Sequence, residues 1–60
     1  MKTYIVVNSI NGDVLTASGN FMKSDSPTKD GVKFSGDNED FIRIMENPYL
    51  DAIEVLNEES

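Results

Sequence analysis

The first apolar stretch of the chain is unbroken. Thr3, Tyr4, Ile5, Val6 and Val7 follow one another, every one β-branched or aromatic, and such residues suit a pleated strand. "SINGD" follows at residues 9–13, where Asn11-Gly12 is a strong hairpin signal because a left-handed glycine closes a tight turn. With Ser9 opposite Asp13 and Gly12 left-handed, Val7 faces Leu15 and Ile5 faces Ala17. That register gathers apolar residues on one face better than a two-residue loop does. The second strand then runs through "VLTASGNFM", with Leu15, Ala17 and Phe21 on its inner face and Gly19 at a bulge or bend.

The pattern changes at "KSDSPTKDG", a polar connection punctuated by Pro27 and Gly31. "VKFS" reads as a short third strand, with Val32 and Phe34 inward. Asp37 is a good helix N-cap, and acids fill the turn after it. On a helix over residues 38–46, Phe41, Ile42, Ile44 and Met45 lie on one side, while Glu39, Asp40, Arg43 and Glu46 lie on the other. Asn47-Pro48 ends that helix, because proline restrains the residue before it and cannot continue the hydrogen-bond ladder. In "DAIEVLN" Ile53 and Val55 alternate with Ala52 and Glu54, which predicts a final strand. Residues 57–60 form a frayed polar tail.

These elements predict a single α+β domain, β-β-β-α-β, in which one four-stranded sheet carries one helix on one face. The predicted strand order is 3-2-1-4, with a right-handed crossover setting the last strand parallel to the first. One helix covers one face only, so the other face meets water or a partner.

Composition narrows the chemistry. The chain has 60 residues, no Cys and no His, which removes disulfides and Cys/His zinc sites as sources of stability. A domain this small then relies on packing or association. Its net charge is −6 and lopsided: residues 1–36 carry four Lys against three Asp, and residues 37–60 carry Arg43 against eight acids. Direct nucleic-acid binding needs phosphate-neutralising cations and is disfavoured. No apolar run approaches a membrane span or a signal-peptide core, so a soluble, cytoplasmic protein is expected.

Catalysis is not expected. Without His or Cys the common nucleophile–base pairs are missing, and no G-x-S-x-G or Ser-x-x-Lys arrangement accompanies the serines. The adjacent carboxylates Glu39 with Asp40, and Glu58 with Glu59, sit at an exposed helix start and in the tail, where burial does not tune a pKa. "SGDNED" carries acids where a phosphate loop needs donors and a lysine, and it lacks the spacing of a calcium loop. No metal and no cofactor is expected.

The acids have local roles that need no partner. Asp37, Glu39 and Asp40 stand at the positive end of the helix dipole, and Glu39 and Glu46 are spaced to pair with Arg43. The functional expectation therefore rests on the uncovered sheet face, where the chosen register places Tyr4, Val6, Val14, Thr16, Met22 and Leu56. A contiguous apolar patch of this kind marks a protein interface. A register slip would turn the same residues into core. The chain is expected to bind and modulate or inhibit another protein through that face or a strand edge, in the manner of small acidic inhibitors carried by phages and mobile elements, an analogy of size and charge alone. Two alternatives stand beside it. One is a homodimer formed sheet to sheet. The other is a nucleic-acid mimic that presents Asp37, Glu39, Asp40, Glu46, Asp51, Glu54 and Glu58 to a DNA- or RNA-binding protein.

Overall fold

The computed structural model describes residues 2–55. It contains strands β1 (Thr3–Asn8), β2 (Val14–Leu15) and β3 (Phe21–Met22), a single-turn helix α1 (Pro27–Asp30), strand β4 (Phe34–Ser35), helix α2 (Glu39–Ile44) and strand β5 (Leu50–Val55). The α+β class is as predicted, with five strands, all pairing antiparallel, and two short helices.

β1 is the centre of the sheet. Along one edge it pairs with β5 over its full length, from Thr3↔Val55 to Asn8↔Leu50. Its other edge is shared: β2 meets it at Val7↔Val14, and β4 meets it at Tyr4↔Phe34 and Thr3↔Ser35. The first hairpin closes with Gly12 left-handed at φ 80, as the Asn-Gly pair predicts, but its loop holds four residues. The Asn8 N–H donates to Asp13 O at 2.7 Å and the Gly12 N–H to Asn8 O at 2.7 Å. Two asparagines organise the loop, Asn8 Oδ1 accepting from Ile10 N–H and Asn11 Oδ1 from Asp13 N–H. Asn8 is thus opposite Asp13, and Val7 is opposite Val14 rather than Leu15. That one-residue slip turns Val14 and Leu15 to the faces opposite those expected.

The expected long second strand is two strands. Thr16–Asn20 is a turn in which Gly19 takes φ 91, Thr16 N–H donates to Asn20 O and Gly19 N–H to Thr16 O. The Thr16 hydroxyl also donates to Asn20 O at 3.0 Å. β3 folds back on β2, with Val14↔Met22 and Leu15↔Phe21 as partners. This extra reversal inverts every later strand. β4 and β5 therefore both run antiparallel to β1, on its two sides, and α2 carries the chain between them. The predicted topology is corrected on two points: the last strand is antiparallel to β1, and the "VKFS" strand pairs with β1 rather than with the second strand, although the last strand's place beside β1 is as predicted.

α2 ends where proline requires, with Asn47 and Pro48 outside it. Its cap is Asn38, one residue later than expected: Asn38 Oδ1 accepts from Asp40 N–H at 2.7 Å and from Phe41 N–H at 3.1 Å. Asp37 accepts the Ser35 hydroxyl instead. Phe41 is buried and stacks on Tyr4 at 5.3 Å and on Phe34 at 5.8 Å between ring centroids. Ile42, expected on the inner side, is 52% exposed.

Both faces of the sheet centre are covered. Ile5 and Val6 are consecutive, so they point to opposite faces, and both are 0% exposed. Val6 shares the α2 face with Tyr4. Ile5 and Val14 lie on the other face, against the α1–β4 connection, where Pro27 opens the helical turn and Gly31 N–H closes it onto Pro27 O. A Cβ on Gly31 would stand 2.8 Å from Val14 Cγ2, 3.1 Å from Ile5 Cγ2 and 2.7 Å from Pro27 O. The polar connection read as a loop is thus a lid on the second face, and the expected open face is absent from the sheet centre.

Each covering element can be tested separately by chemical denaturation. Phe41→Ala is expected to cost about 3–5 kcal/mol by removing the ring between Tyr4 and Phe34, a large part of the stability of a domain this small. Gly31→Ala adds one methyl group to a packed contact and is expected to cost about 1–3 kcal/mol. A neutral Gly31→Ala would mean that α1 does not seat on Ile5 and Val14.

Candidate protein-binding edge

The candidate site is an edge rather than a face. β5 begins after a turn built by Asn47, whose Oδ1 accepts from Tyr49 N–H at 2.9 Å and whose carbonyl accepts from Leu50 N–H at 3.1 Å. Ser9 then fixes the start of the strand, donating to Tyr49 O from both its N–H and its hydroxyl. The Ser9 N–H bond makes Ser9 and Tyr49 a hydrogen-bonded pair. Such pairs recur at every second residue of an antiparallel ladder, so Asp51, Ile53 and Val55 turn their backbone groups toward β1. Leu50, Ala52 and Glu54 turn theirs outward. Leu50 N–H is already taken by the turn, which leaves the N–H groups of Ala52 and Glu54 and three carbonyls along the outer edge.

Among the described residues β5 pairs with β1 alone. Asp51, Ala52, Ile53 and Glu54 are all exposed. Four consecutive exposed residues mean that neither the edge nor either adjoining face is covered there. Asp51 and Ile53 stand on the side of Val7 and Ile5, whereas Ala52 and Glu54 stand on the α2 side with Val6 and Tyr4. Lys2 Nζ lies 3.9 Å from Glu54 Oε1, with both side chains largely solvated. Asp51 has no such ion pair among the described residues.

A second feature lies where β5 begins. Leu15 and Phe21 from the β2–β3 hairpin, Ile44 from α2 and Leu50 line an open groove of about 480 Å³, with Arg43 and Asn47 at its rim.

The residues expected to form one interface do not share a surface. Tyr4 and Val6 lie beneath α2, and Val14 lies on the opposite face; Val6 and Val14 are fully buried. Met22 is on Val14's side and 53% exposed. Thr16 is half-buried, bridged to Gly31 and bonded to Asn20 and Ser18. Leu56 lies outside the described residues. The six residues therefore form no single face: Val6 and Val14 are core on opposite sides of the sheet, whereas Met22 stays exposed. Of the acidic set, Asp37, Glu39, Asp40, Glu46, Asp51 and Glu54 are exposed, and Glu58, with the 57–60 tail, lies outside the described residues. Arg43 forms an ion pair with neither Glu39 nor Glu46. Among the described residues no group of three or more metal-ligating side chains is placed to hold an ion, and no helix is long and apolar enough to cross a membrane.

The reassigned Val6 has a direct consequence. Val6→Lys forces an ammonium into a site with no water and no partner, so the domain is expected to be largely unfolded, by far-UV circular dichroism, at room temperature. A folded Val6→Lys protein would restore the open face.

Set against protein-family models, curated proteins and solved structures, the chain matches none of them.

Proposed function

We propose that this protein works by binding another protein, receiving an extended segment of it as an added strand along the outer edge of β5. The observation that carries the reading is the exposure of Asp51, Ala52, Ile53 and Glu54 on a strand that, among the described residues, pairs on one side only. Strand addition draws affinity from main-chain hydrogen bonds and specificity from alternate side chains. The outward groups of Ala52 and Glu54 supply the first, and the exposed side chains on both sides supply the second. A domain that seizes a strand or tail of a larger protein modulates or inhibits it by withholding that segment.

The acidic surface supports this binding by steering a basic partner. Imitation of nucleic acid fits less well. A mimic needs charge repeated at about 1.7 Å along an axis, whereas Asp51 and Glu54 project from opposite sides of β5.

Proline substitution separates the edge from the fold. The N–H of Ala52 points outward, so Ala52→Pro removes a donor from the edge and none from the β1–β5 ladder. That variant is expected to melt close to the parent and to lose about two- to tenfold in partner affinity, one hydrogen bond's worth. Ile53→Pro removes an inward donor and is expected to lower stability by about 1–3 kcal/mol. The measurement is thermal melting of both variants, with quantitative capture of partners from one lysate by parent and Ala52→Pro baits. Equal capture by the two baits would sink the edge reading.

A further inference from the structure

We infer that the segment received at β5 is basic, with two cationic side chains three residues apart enclosing two apolar ones. This rests on the edge reading above and adds the chemistry of the partner to it. A strand laid antiparallel along β5 places one of its residues opposite each of Asp51, Ala52, Ile53 and Glu54, on the same side and with Cβ atoms about 4.5–5.5 Å apart. Asp51 and Glu54 are three apart and on opposite sides, so the residues that answer them are also three apart and on opposite sides. An acid at either place is repelled and a Lys or Arg is attracted. Between them the added strand meets Ile53, 42% exposed, and the small Ala52, which leaves room for a larger apolar side chain.

The two acids are not equal. Lys2 already stands beside Glu54, whereas Asp51 is uncompensated among the described residues. The cation opposite Asp51 therefore contributes more.

A second copy of this chain fits the edge poorly. Leu50–Val55 contains two acids and no cation, so no register of β5 against β5 offers either acid a partner. Each copy also brings a net charge of −6. The same charge that opposes self-pairing attracts a basic strand, and residues 37–60, which include β5, hold one cation against eight acids.

Synthetic peptides test this. Three peptides of about eight residues, long enough for one strand, carry the central sequence Lys-Val-Ile-Lys, Ser-Val-Ile-Ser or Glu-Val-Ile-Glu in the same flanks. Binding is read on the full chain by fluorescence anisotropy, and amide exchange at Ala52 and Glu54 reports the place of binding. The lysine peptide is expected to bind about tenfold more tightly than the glutamate peptide, and to slow exchange at both amides. Asp51→Lys is expected to erase most of that preference, and Asp51→Lys with Glu54→Lys to reverse it. Ala52→Pro is expected to weaken all three peptides. Protection of the two amides by all three peptides with equal affinity would overturn the basic-partner inference and leave the edge reading intact. Preference for the lysine peptide that Ala52→Pro leaves untouched would place the binding on the general acidic surface and overturn the inference. Failure of every peptide to slow exchange at Ala52 and Glu54 would overturn the edge reading and this inference together.

Discussion

The pairing of β1 on both edges while both of its faces are buried is the constraint from which the rest of the fold follows. Its backbone groups are divided between β5 on one side and β2 with β4 on the other. Its side chains are divided between α2, through Tyr4 and Val6, and the α1–Gly31 lid, through Ile5. Among the described residues no other strand is used in this way. Most of the burial is organised around six residues, so a change at Ile5 or Val6 acts on the packing of both layers at once. The peripheral strands are short because each needs only to occupy part of an edge. β5 is the exception, six residues long and, among the described residues, committed on one side alone.

That use of β1 could be read in the chain. An unbroken run of Tyr, Ile, Val and Val is the pattern of a strand apolar on both faces, whereas a strand with one wet face alternates. The expectation of an open face gave weight to the hairpin register and too little to this run. The helix, its end at Pro48, the left-handed Gly12 and the existence of a final strand were accessible because each depends on local chemistry. The register was not, because Asn8 and Asn11 accept loop N–H groups and so close a loop longer than the minimum. Nor was the reversal at Thr16–Asn20. Gly19 permits a bulge and a turn equally, and the choice is made by the pairing of Phe21 and Met22 with β2, a tertiary contact. One unforeseen reversal then changed the direction of every later strand.

The same fact relocates the proposed interface. A domain that spends both faces of its central strand on its own core has little face left to offer, and what remains open is an edge and a partly roofed groove. Sequence reasoning named an exposed strand edge as a route to binding but fixed its residues on the sheet face, because facing is decided by register and edges are decided by topology. Strand order is less sensitive to register, although it was only partly legible, since β4 pairs with β1 and not with β2. A one-residue slip exchanges the faces of every residue in a strand, yet it leaves the outermost strand outermost. For a chain this short, edge position is the safer inference from sequence, and alternation of apolar residues the weaker one.

A free edge is also a hazard, since it can template the pairing of any flat strand, including copies of itself. Charges on such a strand are the usual protection, and Asp51 and Glu54 supply them on both sides of β5. Protection and selection are here one mechanism. An acid opposite an apolar residue of an intruding strand goes unanswered, and an acid opposite another acid is repelled, so indiscriminate and self pairing are both discouraged. Only a strand that brings cations to those two places turns the penalty into attraction. In the proposed reading, the residues that discourage indiscriminate pairing at the edge also select what occupies it, and the acidic remainder of the C-terminal half extends the same preference to longer range.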